Sequence, residues 1–171
     1  MSQEPTSQPS EQHDDTCAGM TEEEMRSNVV RLAFGGDLQR FQAFLDAIAR
    51  ALPPETAAVL RGSSVTGNRW EDGAPFDADG PGTSDLDLTF VGPKILEHYD
   101  AGGFYIPGVH TKPLSDKDPD IAPPLLPLRQ ELTEMTGRPV NIQGTRDWIM
   151  YFREHVMGQP YLTLCGKVET S

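Results

Sequence analysis

The chain has 171 residues and a formal net charge of −12, from 26 acidic against 14 basic residues, which is room for one domain or slightly more. The absence of any apolar run of about 18 residues, the lack of a basic-then-apolar leader and a count of only two cysteines (Cys17, Cys165) argue against a membrane span, a secretory signal, a disulfide framework and a zinc site, and point to a reducing, cytoplasmic setting. The acid excess also weighs against a nucleic-acid partner, because that affinity rests largely on Lys and Arg neutralising phosphates.

Residues 1–20 carry four acids and no Lys or Arg and are rich in Ser, Gln and Pro. Such a segment buries too little apolar area to offset its ordering entropy, so a disordered tail is expected there. The remainder, 21–171, reads as a single domain with net charge −8. It opens on a capping box, Thr21 with Glu24, ahead of a helix carrying Met25, Val29, Val30, Leu32 and Ala33 to Gly35-Gly36. Asp37 caps a second helix with Leu38, Phe41, Phe44, Leu45, Ile48 and Leu52 at helical spacing, ended by Pro53-Pro54.

Ala57 to Leu60 reads as a strand arriving at Arg61-Gly62-Ser63-Ser64, followed by a long Gly/Pro-rich loop over 65–83. Residues 84–91, SDLDLTFV, alternate with period two and form the clearest strand pattern in the chain. A helix is predicted from Gly92-Pro93 to Tyr99, and a second Gly/Pro-rich loop over 100–124. A helix over about Leu125–Met135 and a strand Pro139–Gln143 follow. The pattern then predicts a helix over Thr145–Met157 and a strand or short helix over Tyr161–Cys165. This order predicts an α/β (α+β) fold with a small mixed sheet flanked by helices.

The residues with chemical potential are Gly62-Ser63-Ser64 and Asp85-Leu86-Asp87. On a strand, positions i and i+2 share a face, so Asp85, Asp87 and Thr89 point one way and Leu86, Leu88 and Phe90 the other. Two carboxylates held this close repel unless something neutralises them, and an all-oxygen pair suits Mg²⁺ or Mn²⁺. A strand ending in Gly-Ser adds backbone and hydroxyl donors where phosphate oxygens can approach. Cation plus donor loop is what phosphoryl or nucleotidyl transfer needs.

Those two segments, in the stretch RGSSVTGNRWEDGAPFDADGPGTSDLDLTFVG, resemble the signature of the nucleotidyltransferase fold, the DNA polymerase beta superfamily. The resemblance covers about residues 37–157. It implies that Asp85 and Asp87 are catalytic and hold the metal ions, with Gly62, Ser63, Ser64 and Ser84 on the nucleotide's phosphates. The implied reaction moves a nucleoside monophosphate from a nucleoside triphosphate to a hydroxyl of a small molecule or protein, releasing pyrophosphate. The chain departs from the pattern twice. It places 22 residues between Gly62 and Asp85, more than the usual gap. Where the family supplies a third carboxylate from a later strand, the best-placed position is Asn141, an amide that cannot act as a general base.

A third acid would then come from Asp77, Asp79 or Asp147. The alternative expectation is a catalytically impaired domain that binds nucleotide or a protein partner in a regulatory role. The acids of the loop, Glu71, Asp72, Asp77 and Asp79, read most simply as a solvated surface. With so little chain beyond the small domain, acceptor recognition is expected from the two loops, a partner protein or a second copy in a homo-oligomer.

Overall fold

The computed structural model describes residues 20–148 and 159–168. The expected disordered tail therefore lies outside the described residues (except Met20), as does the expected 145–157 helix beyond Trp148. The described residues form a mixed α/β fold with a six-stranded mixed sheet and four helices. None of these helices is long and apolar enough to cross a membrane.

Helix α1 (Glu22–Phe34) starts on the expected capping box, Thr21 N–H donating to Glu24 Oε1 at 2.9 Å and Glu24 N–H to Thr21 Oγ1 at 3.1 Å. Helix α2 (Leu38–Ala51) is capped by Asp37, whose Oδ1 accepts from the amides of Gln39 and Arg40. Strand β1 (Ala57–Arg61) leads into a single helical turn, α3 (Ser63–Thr66). Strand β2 (Leu86–Val91) follows the long loop. The segment expected to be a helix after Pro93 is a 3-10 helix, Lys94–His98, the tighter coil that occurs in short pieces and as connectors.

The stretch expected as a loop over 100–124 is more ordered than its composition suggests. It contains a short hairpin, β3 (Phe104–Ile106) and β4 (His110–Thr111), and two further 3-10 turns. Helix α4 (Leu126–Thr136) ends at Gly137, as its left-handed conformation allows. Strand β5 (Val140–Thr145) runs two residues past its predicted end, so Thr145 is strand rather than the start of a helix. Strand β6 (Tyr161–Cys165) resolves the open choice for that segment in favour of a strand.

The strand order is β3-β4-β5-β2-β1-β6, with β2 and β5 parallel and the other neighbours antiparallel. Register lines Leu60, Leu88, Ile142 and Leu162 into one row on the face covered by α1, α2 and α4. Leu88 and Phe90 are buried there with Phe34, Phe44, Ile48 and Leu132, each large side chain contributing roughly 2 kcal/mol. Phe34 meets Phe41 and Phe44 edge-on, with ring centroids at 5.5 and 5.1 Å. Leu38 departs from expectation: it lies at the first turn of α2 and is 68% exposed. Burial of one face fixes the register of the other, because a one-residue slip would invert both.

Candidate functional site

Opposite the buried leucine row, the same register aligns Tyr161, Arg61, Asp87 and Asn141 across β6, β1, β2 and β5. Asp85 stands just before β2 and, two residues from Asp87, is brought to the same end of the sheet. The Asn141 amide ties the pair together: its Nδ2 donates to Asp85 Oδ2 at 2.8 Å and to Asp87 Oδ1 at 3.2 Å. Asp85 is exposed and Asp87 partly buried.

At the end of β1 the chain turns through Gly62, with φ of +102°, into the one-turn α3. A Cβ at Gly62 would sit 3.2 Å from Asp87 Oδ2 in a backbone conformation that L side chains rarely adopt, so glycine lets the turn close over the carboxylate. Val65 and Thr66 amides donate to Gly62 O, while the first-turn amides of Ser63 and Ser64 precede any intrahelical acceptor.

These elements enclose a cleft of about 270 Å³ lined by Arg61, Gly62, Ser63, Ser84, Asp85 and Asp87, together with Trp70, Glu71 and Asp79 of the long loop. Ser64 does not line it: its side chain is buried below the turn, its Oγ without a partner among the described residues. Asn141 and Asp85 also line a neighbouring cleft of about 340 Å³ with Ser115, Asp116 and Lys117, so Asp85 stands at the junction of the two. Gln159, which no sequence signal singles out, reaches the first cleft from the segment before β6.

The electrostatics are unbalanced. The Asp87 carboxyl is pushed up to about 6, chiefly by burial and then by the neighbouring Asp85 charge; Arg61, the Asn141 hydrogen bond acting against it. Glu71 adds a smaller upward push. Among the described residues no group of three or more His, Cys, Asp or Glu side chains is arranged to hold a metal ion. The carboxylates here are two, with an amide beside them. A divalent cation fits them on the chemistry of the donors, which are hard oxygens whose burial and mutual repulsion Arg61 and the Asn141 amide offset only in part, and on the side-chain-free cradle at Gly62.

The three candidates for a third acid separate cleanly. Asp77 is consumed: its Oδ1 and Oδ2 accept from Arg138 Nη1 and Nη2 at 2.7 and 3.1 Å. The amides of Ser84 and Gly82 donate to it as well, at 3.0 and 3.2 Å. Asp147 lies at the opposite end of the sheet with Glu55, Gly92 and Lys167. Asp79 does reach the cleft but pairs with Arg69 at 3.2 Å. The expected solvated acidic loop holds for Glu71, Asp72 and Asp79, which are exposed, and fails for Asp77, while Arg69 and Arg138 organise 67–84. Ser84 belongs to this framework, its Oγ accepting from Asp77 N–H at 2.7 Å and its carbonyl from Arg138 at 2.9 Å.

Comparison with known proteins finds no family model, no curated protein and no solved structure that matches this chain.

Proposed function

We propose that the cleft is the active site of a Mg²⁺- or Mn²⁺-dependent nucleotidyltransferase of the DNA polymerase beta type. It moves a nucleoside monophosphate from a nucleoside triphosphate, ATP among the candidates, to a hydroxyl of a small molecule or protein. One observation carries the reading: two adjacent carboxylates, Asp85 and Asp87, share a neutral amide donor and face a Gly-Ser turn across a polar cleft. A bound cation would neutralise the phosphates and the charge that develops on the leaving pyrophosphate.

The chain's own residues divide the remaining work. Asp85 and Asp87 would hold the cation, and Gly62 and Ser63 would orient the terminal phosphates with backbone and hydroxyl donors. Ser84 keeps Asp85 in place through the Asp77–Arg138 framework rather than by touching phosphate. The acceptor oxygen forms the new bond to the α-phosphorus as the bond to pyrophosphate breaks. Asp85, exposed and facing both clefts, takes the proton from the acceptor hydroxyl, a role the Asn141 amide cannot fill. The net charge of −8 on residues 21–171 makes nucleic acid a poor acceptor.

Asn141 favours a second reading, a regulatory domain that binds metal and nucleotide without turnover. Incubation with labelled ATP, GTP, CTP and UTP plus Mg²⁺ or Mn²⁺ separates the two. Pyrophosphate release or labelled protein, abolished in Asp85→Ala and Asp87→Ala, supports the enzyme. Metal-dependent binding without release supports the regulatory domain. Absence of both binding and release rejects the nucleotide site altogether.

A further inference from the structure

The long loop presents an aromatic surface to the cleft in a manner that the phosphate and metal chemistry does not use. Between Asn68 and Pro75 the chain doubles back as an isolated bridge, with Arg69 N–H donating to Ala74 O at 2.7 Å and Gly73 N–H to Arg69 O at 2.9 Å. Asn68 Nδ2 donates to Gly73 O at 3.1 Å, and Ala74 N–H to Asp72 Oδ1 at 2.9 Å. The Arg69 guanidinium braces both sides of the turn, meeting Asp72 and Asp79 at 3.2 Å each. Farther along, the Asp77–Arg138 pair anchors the loop to the start of β5, with the guanidinium 4.5 Å from the Phe76 ring centroid.

Trp70 stands on this braced turn. It is 49% exposed, lines the same cleft as Gly62, Ser63, Asp85 and Asp87, and has no hydrogen-bond or ring partner among the described residues. The other tryptophan, Trp148, is buried and packs edge-on against Tyr161. A large ring left half in water, on a support this constrained, offers a flat apolar face in a cleft otherwise lined by charged and polar groups.

We propose that Trp70 is the platform on which the nucleobase of the nucleoside triphosphate stacks, making the 68–75 turn the base-recognition element of the site. This rests on the nucleotide-binding reading above and adds what that reading lacks, a contact for the base. With the phosphates against Gly62 and Ser63, the base must leave the sheet end, and the cleft wall there is the loop. Stacking needs only a π-face, so it tolerates every base.

The test uses the full chain and the probes Mg²⁺-ATP, Mg²⁺-GTP, Mg²⁺-CTP, Mg²⁺-UTP and Mg²⁺-tripolyphosphate, which has no base. Binding is followed by calorimetry and by tryptophan fluorescence. Nucleotides are expected to quench the exposed Trp70 emission and tripolyphosphate to leave it unchanged. Trp70→Phe should retain most affinity but lose the quenching. Trp70→Ala should bind nucleotides about 5- to 50-fold more weakly and tripolyphosphate as before. Both variants should keep the wild-type near-ultraviolet signal of Trp148, showing that the fold is intact. If nucleotides bind with metal dependence but Trp70→Ala binds them equally well and no quenching occurs, the stacking role is rejected while the nucleotide site stands. If neither nucleotides nor tripolyphosphate bind the wild-type chain, both readings fall together.

Discussion

Asp77 and Asp87 lie ten residues apart in the chain and both are partly buried, yet they meet opposite surroundings. Asp77 receives two guanidinium donors and two backbone amides, and Arg138 first among these holds its carboxyl down to about 2. Asp87 has burial and a second carboxylate against it, and its carboxyl rises to about 6. A carboxylate fully served by the protein's own donors has its charge spent on holding the fold. One left short of donors keeps its charge available for a cation from outside. In the proposed site the first is a structural acid and the second a chemical one.

The largest effect expected from breaking this contrast is on chemistry. Asp85→Ala or Asp87→Ala should lower pyrophosphate release about a thousandfold or more, since each removes a ligand of the cation that would carry several kcal/mol of transition-state stabilisation. The melting temperature of either variant in the absence of metal should stay near that of the wild type, because each substitution also removes one of two repelling charges.

Asp77→Ala should do the reverse. It leaves the Arg138 guanidinium, 8% exposed, without its carboxylate, and should cost about 3 kcal/mol in urea unfolding. The loss of activity should follow indirectly, as Ser84 and the turn bearing Trp70 lose their anchor. A substitution at Asp77 that left stability unchanged would show that the clamp does not organise the loop.

The two acids also predict opposite pH slopes. Asp77 is depressed from 3.8 to about 2, so its stabilisation is complete above about pH 4 and disappears as pH falls through 2. Asp87 is raised from 3.8 to about 6, so the folded chain binds its proton more tightly than the unfolded one. Its contribution to stability therefore declines as pH rises from about 4 to 6, and above 6 the full penalty, on the order of 1–3 kcal/mol, remains. Chemical unfolding of Asp87→Asn against wild type at pH 4 and pH 8, without metal, checks this. The variant should gain relative stability at pH 8, and Mg²⁺ should narrow the gap by stabilising the wild type alone.

Much of this contrast was readable along one strand and little of it between strands. Period-two alternation in SDLDLTFV placed Asp85 and Asp87 on one face, and the burial of Leu86, Leu88 and Phe90 on the other follows from that same pattern. The caps Thr21 and Asp37 were local as well, each made within three residues. Arg138 is 61 residues from Asp77, and no periodicity announces a pairing made by the crossover from β2 to β5. The acids of the loop therefore looked alike in sequence, although one is clamped, two are braced by Arg69 and Glu71 faces the cleft. The hairpin β3–β4 escaped for a different reason: its strands have three and two residues, too few for alternation to register among glycines and prolines.

The smallest effect tests the boundary between the two kinds of acid. Asn141→Asp turns the shared amide donor into a third carboxylate, 2.8 and 3.2 Å from the oxygens it now serves. Without metal, two hydrogen bonds become two like-charge contacts, so the melting temperature should fall modestly at pH 8 and recover toward pH 5 as carboxyls protonate. With Mn²⁺ or Mg²⁺ the added charge should tighten binding about tenfold by calorimetry, because opposite charge near a site favours the cation. If the substitution instead weakens metal binding, the amide is what holds Asp85 and Asp87 in a usable geometry. The site would then be built around two carboxylates and an amide, with Asn141 positioning the pair, rather than around an incomplete set of three.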